Sequence, residues 1–255
     1  MDSSQNRNYL NSLFIQAFMA KKILSIEETK TLYSKICDAC EVIYSDNSFE
    51  NFMKEIHNTL IKIDFDIKRI QSKSDGHFFY IWINLINDDF TQLSTQYTQN
   101  EIVIFKRILE LIMENYSENY QLSSTDAIRE ISKLKYSFTK KDIEALLKRF
   151  QKDRWIMEKE GKYSLDIRSI AELSEYIKKN ILNEDELIEC PICLDYIFSN
   201  VERCSNPDCD YYLHTYCLAI KFGKNSYSKR CPKCKELWDI DENIISGEIE
   251  DEDNY

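Results

Sequence analysis

Apolar residues recur at helical spacing through most of the first 181 positions of this 255-residue chain. Residues 9 to 20 set Leu10, Leu13, Phe14, Ala17 and Phe18 on one face, the stripe expected of a helix that buries one side. Ser25 followed three residues on by Glu28 predicts a capping box that opens a second helix, and Ser48 predicts the cap of a third carrying Phe52, Ile56 and Leu60. The period then changes. Phe65 and Ile67, then Phe78, Tyr80 and Trp82, fall at every second position on either side of Asp75-Gly76. Alternation around a turn dipeptide predicts a β-hairpin.

The same grammar returns further along. Residues 101 to 115 read as an apolar-rich helix, and the Ser123 to Asp126 stretch caps a helix with Ile128, Ile131 and Leu134. Thr139 with Asp142 caps another, carrying Ile143, Leu146, Leu147 and Phe150. Trp155-Ile156-Met157 and Tyr163-Ser164-Leu165 flank Glu160-Gly161 as a second hairpin, and Ser169 with Glu172 predicts a closing helix through Leu173 and Ile177. Three helices and a hairpin, twice over, predict a mainly α fold with small β-hairpins: tandem winged-helix domains over residues 1–95 and 96–181.

Composition changes this picture at the far end. All three prolines (Pro191, Pro207, Pro232) lie beyond residue 190, and of the four glycines only Gly76 and Gly161 precede it. Between 190 and 234 stand eight of the twelve Cys and His residues: Cys190-x2-Cys193-x10-Cys204-x4-Cys209-x4-His214-x2-Cys217-x13-Cys231-x2-Cys234. A Cys-x2-Cys pair curls two thiolates onto one ion, and structural Zn²⁺ is satisfied by four S/N ligands. Eight ligands therefore predict two Zn²⁺ per chain within a zinc domain at 190–238. So short a segment lacks the apolar core to fold alone, and metal is expected to supply on the order of 10 kcal/mol or more per site.

The net charge is 33 − 44 = −11. Residues 239–255 contribute −8 and residues 182–189 a further −4, which predicts an acidic, disordered tail and a solvated acidic linker. Residues 129–168, by contrast, hold twelve Lys/Arg against seven Asp/Glu. That +5 makes Lys140, Lys141, Lys148, Arg149 and Lys152, with Arg154, Lys159 and Lys162 towards the wing, candidates for DNA contact by neutralising phosphate. Asp142, Glu144 and Asp153 interleave with them, and the plainer alternative is a solvated helix face. With no apolar run of ~18 residues and no basic-then-apolar start, the chain is expected to be soluble, intracellular and not membrane-bound, with reduced thiols. Cys37 and Cys40 repeat the x2 spacing on a predicted helix, where packing is expected rather than a third metal site; His57 and His77 read as structural.

The zinc cluster resembles the RING family, in the variant with Cys in the fourth and His in the fifth ligand position; its spacing also suits a PHD finger. Ile192 inside Cys190-Pro191-Ile192-Cys193 and the proline of Cys231-Pro232-Lys233-Cys234 favour RING, as does Lys229 where a PHD finger carries an aromatic. The resemblance implies a cross-brace, with Cys190, Cys193, His214 and Cys217 on one zinc and Cys204, Cys209, Cys231 and Cys234 on the other. It implies docking of a ubiquitin-conjugating enzyme by Ile192, Phe222 and Pro232, and a ubiquitin clamp at Lys235.

Phe14-Ile15-Gln16-Ala17-Phe18-Met19, Leu24-Ser25, Trp155-Ile156-Met157-Glu158-Lys159-Glu160-Gly161 and Trp238 extend the likeness over most of the chain. Together they resemble the non-SMC element 1 family, RING-variant subunits of the SMC 5/6 chromosome-maintenance complex. That resemblance implies a nuclear, chromatin-associated ubiquitin ligase without a covalent nucleophile, acting in DNA repair. It also implies a MAGE-type partner and a kleisin subunit, with DNA met mainly through the complex. The alternatives are a non-catalytic scaffold and a PHD-like chromatin- or DNA-binding subunit.

Overall fold

The computed structural model describes residues 3–43, 45–85, 96–116, 119–134, 138–223 and 229–246. The chain divides into two compact units: Met1–Gln71 with His77–Asp89, and Ser72–Gly76 with Phe90–Tyr255.

The first unit runs α1 (Ser3–Lys21), β1 (Ile23–Ser25), α2 (Ile26–Ala39), α3 (Asp46–Leu60), β2 (Phe65–Gln71) and β3 (Phe78–Asn84). Lys22, at φ +67, breaks α1 from β1. The three strands pair antiparallel in the order β1-β3-β2, with Leu24 opposite Tyr80 and Ile67 opposite Trp82. Helix, strand, two helices and a hairpin that recruits the first strand make a winged helix. The predicted apolar stripe of α1 is its core: Leu10, Phe14 and Phe18 are buried against Tyr33, Phe49, Phe52, Ile56 and Leu60. Phe52 meets Phe14 edge-on at 4.8 Å and stacks on Tyr33 at 4.4 Å.

Ser25 and Glu28 form the predicted capping box. Ser45, not Ser48, caps α3; Ser48 is the answering residue, its hydroxyl accepting from the Ser45 amide at 2.9 Å. Two serines three apart each satisfy the cap rule, and the chain uses the earlier one. Cys37 and Cys40 are buried in the apolar core, and His57 Nδ1 pairs with Asp66 Oδ1 at 2.8 Å.

The second unit repeats the order with α4 (Gln99–Glu114), β4 (Leu122–Ser123), α5 (Ser124–Ser132), α6 (Lys140–Lys152), β5 (Ile156–Lys159), β6 (Lys162–Leu165) and α7 (Ile167–Asn180), its sheet ordered β4-β6-β5. Thr98, Ser123 and Thr139 cap α4, α5 and α6. Glu160 and Gly161 both take positive φ, +54 and +75, the primed turn that matches strand twist. Asp166 rather than Ser169 caps α7. Ser169 is one turn inside, fully buried, and donates to the Trp155 carbonyl at 2.5 Å. Beside it the buried Arg168 pairs with Glu172 at 2.8 Å and lies 4.0 Å over the Trp155 ring.

The acidic stretch 182–189 has more structure than its charge implies. Glu184–Glu186 form a single 3-10 turn, while Leu182, Leu187 and Ile188 pack against the core. Beyond it come β7 (Val201–Arg203), β8 (Tyr212–His214), α8 (Thr215–Phe222) and α9 (Glu242–Ser246). One buried cluster runs from Tyr97 through Leu173 and Ile177 to Ile197, Phe198, Trp238 and Ile245. In the acid-rich end Ile240 and Ile245 are buried, and residues 247–255 of the expected tail lie outside the described residues. Among the described residues no helix is long and apolar enough to cross a membrane.

Candidate metal centre

The module after residue 189 is built around two matching knuckles. In Cys190-Pro191-Ile192-Cys193 the Leu194 amide donates to the Cys190 carbonyl at 2.8 Å, and in Cys231-Pro232-Lys233-Cys234 the Lys235 amide donates to the Cys231 carbonyl at 3.0 Å. Proline presets the first turn dihedral; Leu194 and Lys235 then take φ +61 and +66. Each knuckle is closed by a bridge, Glu189 to Tyr196 and Arg230 to Leu237. The β7–β8 hairpin supplies the rest: Cys204 follows β7, His214 ends β8, and Cys217 sits in the first turn of α8.

Folding gathers these ligands into two groups, Cys190, Cys193, His214 and Cys217 in one, Cys204, Cys209, Cys231 and Cys234 in the other, all ligand atoms of a group within 4.8 Å of one another. First and third pairs share one group, second and fourth the other, so the chain cross-braces. Zn–S bonds of ~2.3 Å in a tetrahedron require ligand edges of ~3.8 Å. Cys204 Sγ lies 3.6 Å from Cys234 Sγ and Cys209 Sγ 3.8 Å from Cys231 Sγ. In the first group Cys193 and Cys217 approach His214 Nδ1 at 3.3 and 3.9 Å. The donor sets, one S₃N and one S₄, fit structural zinc in chemistry and in size. Hydrogen bonding from Cys217 and His214 holds the Cys190 thiol well below its usual range, and the same Cys190–Cys217 bond pushes Cys217 up.

The remaining candidates are placed unevenly. Ile192 is 40% exposed at the tip of the first knuckle, and the neighbouring Leu194, which the sequence did not single out, is 69% exposed. Pro232 is half-buried on the second knuckle. Phe222 is buried edge-on against Trp238, at 5.7 Å, which makes it module core rather than an open groove. Lys235 is exposed, and its Nζ donates to the Pro232 carbonyl at 2.6 Å. On α6, Lys140, Lys141, Lys148 and Lys152 are exposed, or nearly so, with Lys140 3.9 Å from Glu144. Arg149 is engaged by Glu101 at 2.5 Å and by the Gln96 carbonyl at 3.1 Å, and Arg154 pairs with Asp166. Neither Cys37, Cys40, His57 nor His77 enters a metal-type cluster among the described residues.

Two winged helices and a cross-braced Cys/His module define a class, mainly helical proteins that carry a RING-like zinc domain. A family model described as the Nse1 non-SMC component of the SMC5-6 complex matches residues 11–173, and the chain belongs to that family. It is 29% identical over 226 residues to the human non-structural maintenance of chromosomes element 1 homolog, covering 88% of this chain and 82% of that one. The Schizosaccharomyces pombe element 1 is 30% identical over 190 residues, covering 74% and 76%. A solved Nse1-Nse3-Nse4 complex superposes with a TM-score of 0.78 at 26% identity, covering 91% of this chain and 97% of that one.

Proposed function

We propose that this chain is the RING-type ubiquitin-ligase subunit of an SMC 5/6 complex, holding two Zn²⁺ and acting on chromosomes in the nucleus. Cys190, Cys193, His214 and Cys217 would hold one ion, Cys204, Cys209, Cys231 and Cys234 the other. Zinc there is structural: it fixes the two knuckles as a rigid platform, with no open coordination position for chemistry. The observation that carries the reading is the exposed Ile192 on a knuckle whose ligands are already gathered. An apolar side chain held out on a rigid turn is a docking handle for a conjugating enzyme. Catalysis then consists of positioning a ubiquitin thioester that belongs to the other enzyme. By likeness to the solved Nse1-Nse3-Nse4 complex, the partners are a MAGE-type subunit and a kleisin subunit. The exposed Lys140, Lys141, Lys148 and Lys152 of α6 would be the face towards DNA within that assembly, their exposure supporting that reading.

An in vitro ubiquitination assay of the full chain with its MAGE-type partner, across a panel of conjugating enzymes, tests this. Activity is expected with at least one enzyme and is expected to fall roughly tenfold or more in Ile192→Ala, as for a small interface losing its anchor. Activity unchanged by that substitution would remove the docking assignment. Two observations favour a second reading, a zinc-braced scaffold: Phe222 is buried and Lys235 is turned onto its own knuckle. Absence of activity with every enzyme in the panel would establish that reading instead.

A further inference from the structure

The turn Ser72–Gly76 groups with the second unit. It touches the protein shell of the first cluster at two places. The amide of Tyr216, between ligands His214 and Cys217, donates to the Lys73 carbonyl at 3.0 Å. Lys73 Nζ lies 2.8 Å from Asp195 Oδ2, two residues past Cys193. Lys73 is the sheltered member of that pair, its side chain 17% exposed against 62% for Asp195, so the lysine is the anchor and the knuckle residue the thing held. Asp195 also closes the knuckle through its main chain, its carbonyl accepting the Cys190 amide at 2.9 Å.

The other end of the turn is fitted as closely. Gly76 has φ +84, and a Cβ there would stand 2.2 Å from the Tyr216 ring, so only glycine lets the turn lie against that side chain. One short turn thus holds both halves of the S₃N ligand set, the Cys190 knuckle through Asp195 and the His214–Cys217 segment through Tyr216. With zinc bound, three thiolates and one Zn²⁺ sum to −3 + 2 = −1, a charge that a half-sheltered ammonium complements.

We propose that the Ser72–Gly76 turn is a brace that sets the attitude of the first knuckle, with Lys73 as a positioning residue for Ile192. Its consequence for docking rests on the conjugating-enzyme reading above. The brace itself does not. Loss of the Lys73–Asp195 pair leaves all eight ligands in place but frees the knuckle to move, and a docking handle that moves binds more weakly because its order must be restored on binding.

The test uses the full-length, zinc-loaded chain and three readouts: zinc content, hydrogen exchange of the Leu194 and Ile197 amides, and affinity for the conjugating enzymes of the panel. Lys73→Glu is expected to keep the wild-type zinc content, to raise exchange at those amides roughly five-fold and to weaken enzyme binding by a similar factor. Lys73→Arg, and Lys73→Glu combined with Asp195→Lys, are expected to restore both. Unchanged exchange, or loss of zinc in Lys73→Glu, would overturn the brace. Raised exchange with wild-type enzyme affinity would overturn the positioning role alone. No enzyme binding by the wild-type chain would instead overturn the ligase reading and the docking half with it, while exchange still decides the brace.

Discussion

Phe14 shows how much one residue can carry in the first unit. It is fully buried and meets Phe18, Tyr33 and Phe52 with ring centroids at 5.2, 6.3 and 4.8 Å. Phe14→Ala is expected to cost ~3–5 kcal/mol, read as a lowered urea midpoint for the first unit. Ser169 acts on a different principle. Its hydroxyl satisfies the Trp155 carbonyl in a buried place, so Ser169→Ala is expected to lose ~1–3 kcal/mol, whereas substitution of a mere exposed cap would cost less. That residue also shows where sequence reading stops. Ser169 with Glu172 has the form of a capping box and Ser48 that of a cap, but cap rules are local and several nearby residues satisfy them. Which one is used depends on where the preceding strand or loop ends, as Asp166 and Ser45 show.

At the scale of elements, the helices were legible because each repeats its apolar period several times, and both hairpins because a turn dipeptide, Asp75-Gly76 or Glu160-Gly161, divides two short apolar runs. The strands β1 and β4 were not: three and two residues hold little more than one alternation, and only pairing with β3 and β6 makes them strands. The eight-ligand set was legible from spacing alone, whereas its division into two groups of four came from the RING likeness, since spacing does not say which pairs meet. The knuckles carry a prediction in pH. Thiolates and a neutral imidazole bind zinc, so protons compete with metal, and zinc retention is expected to fall as pH falls. Titration of the zinc-loaded chain with a zinc-sensitive dye should release two equivalents per chain on acidification; three equivalents would reopen the Cys37-x2-Cys40 pair as a site. On α6, Lys148→Glu is expected to weaken any DNA binding and to flatten its salt dependence, measured by fluorescence anisotropy across salt. Arg149→Ala should act mainly on stability, because Glu101 and the Gln96 carbonyl already hold it.

For the molecule as a whole, the charge of −11 is a poor guide to where folding ends. Acidic side chains at 182–189 and 239–246 are solvated, yet Leu187, Ile188, Ile240 and Ile245 between them are packed. A short polar-looking segment with every second or third residue apolar is as able to lie on a core as to swing free, and only the core decides. Because Leu173 and Ile177 of α7 share one buried cluster with Ile197, Phe198 and Trp238, removing zinc should reach beyond the knuckles. Chelation is expected to lower the melting temperature of the second winged helix as well as that of the zinc module, seen by following hydrogen exchange of the Leu147 and Phe150 amides with temperature. Melting of residues 96–181 that ignores chelation would mean the two parts fold independently.

That shared core bears on how this protein can be taken apart. A cut at 181–182, the place where charge invites it, would divide the cluster that holds Ile177 from the part that holds Ile197, Phe198 and Trp238 and leave apolar faces on both pieces. A zinc module released there should aggregate or bind nonspecifically. Inactivity of such a fragment would report a torn interior, and a piece worth assaying keeps Tyr97 of the shared core and the Ser72–Gly76 turn and runs through α9.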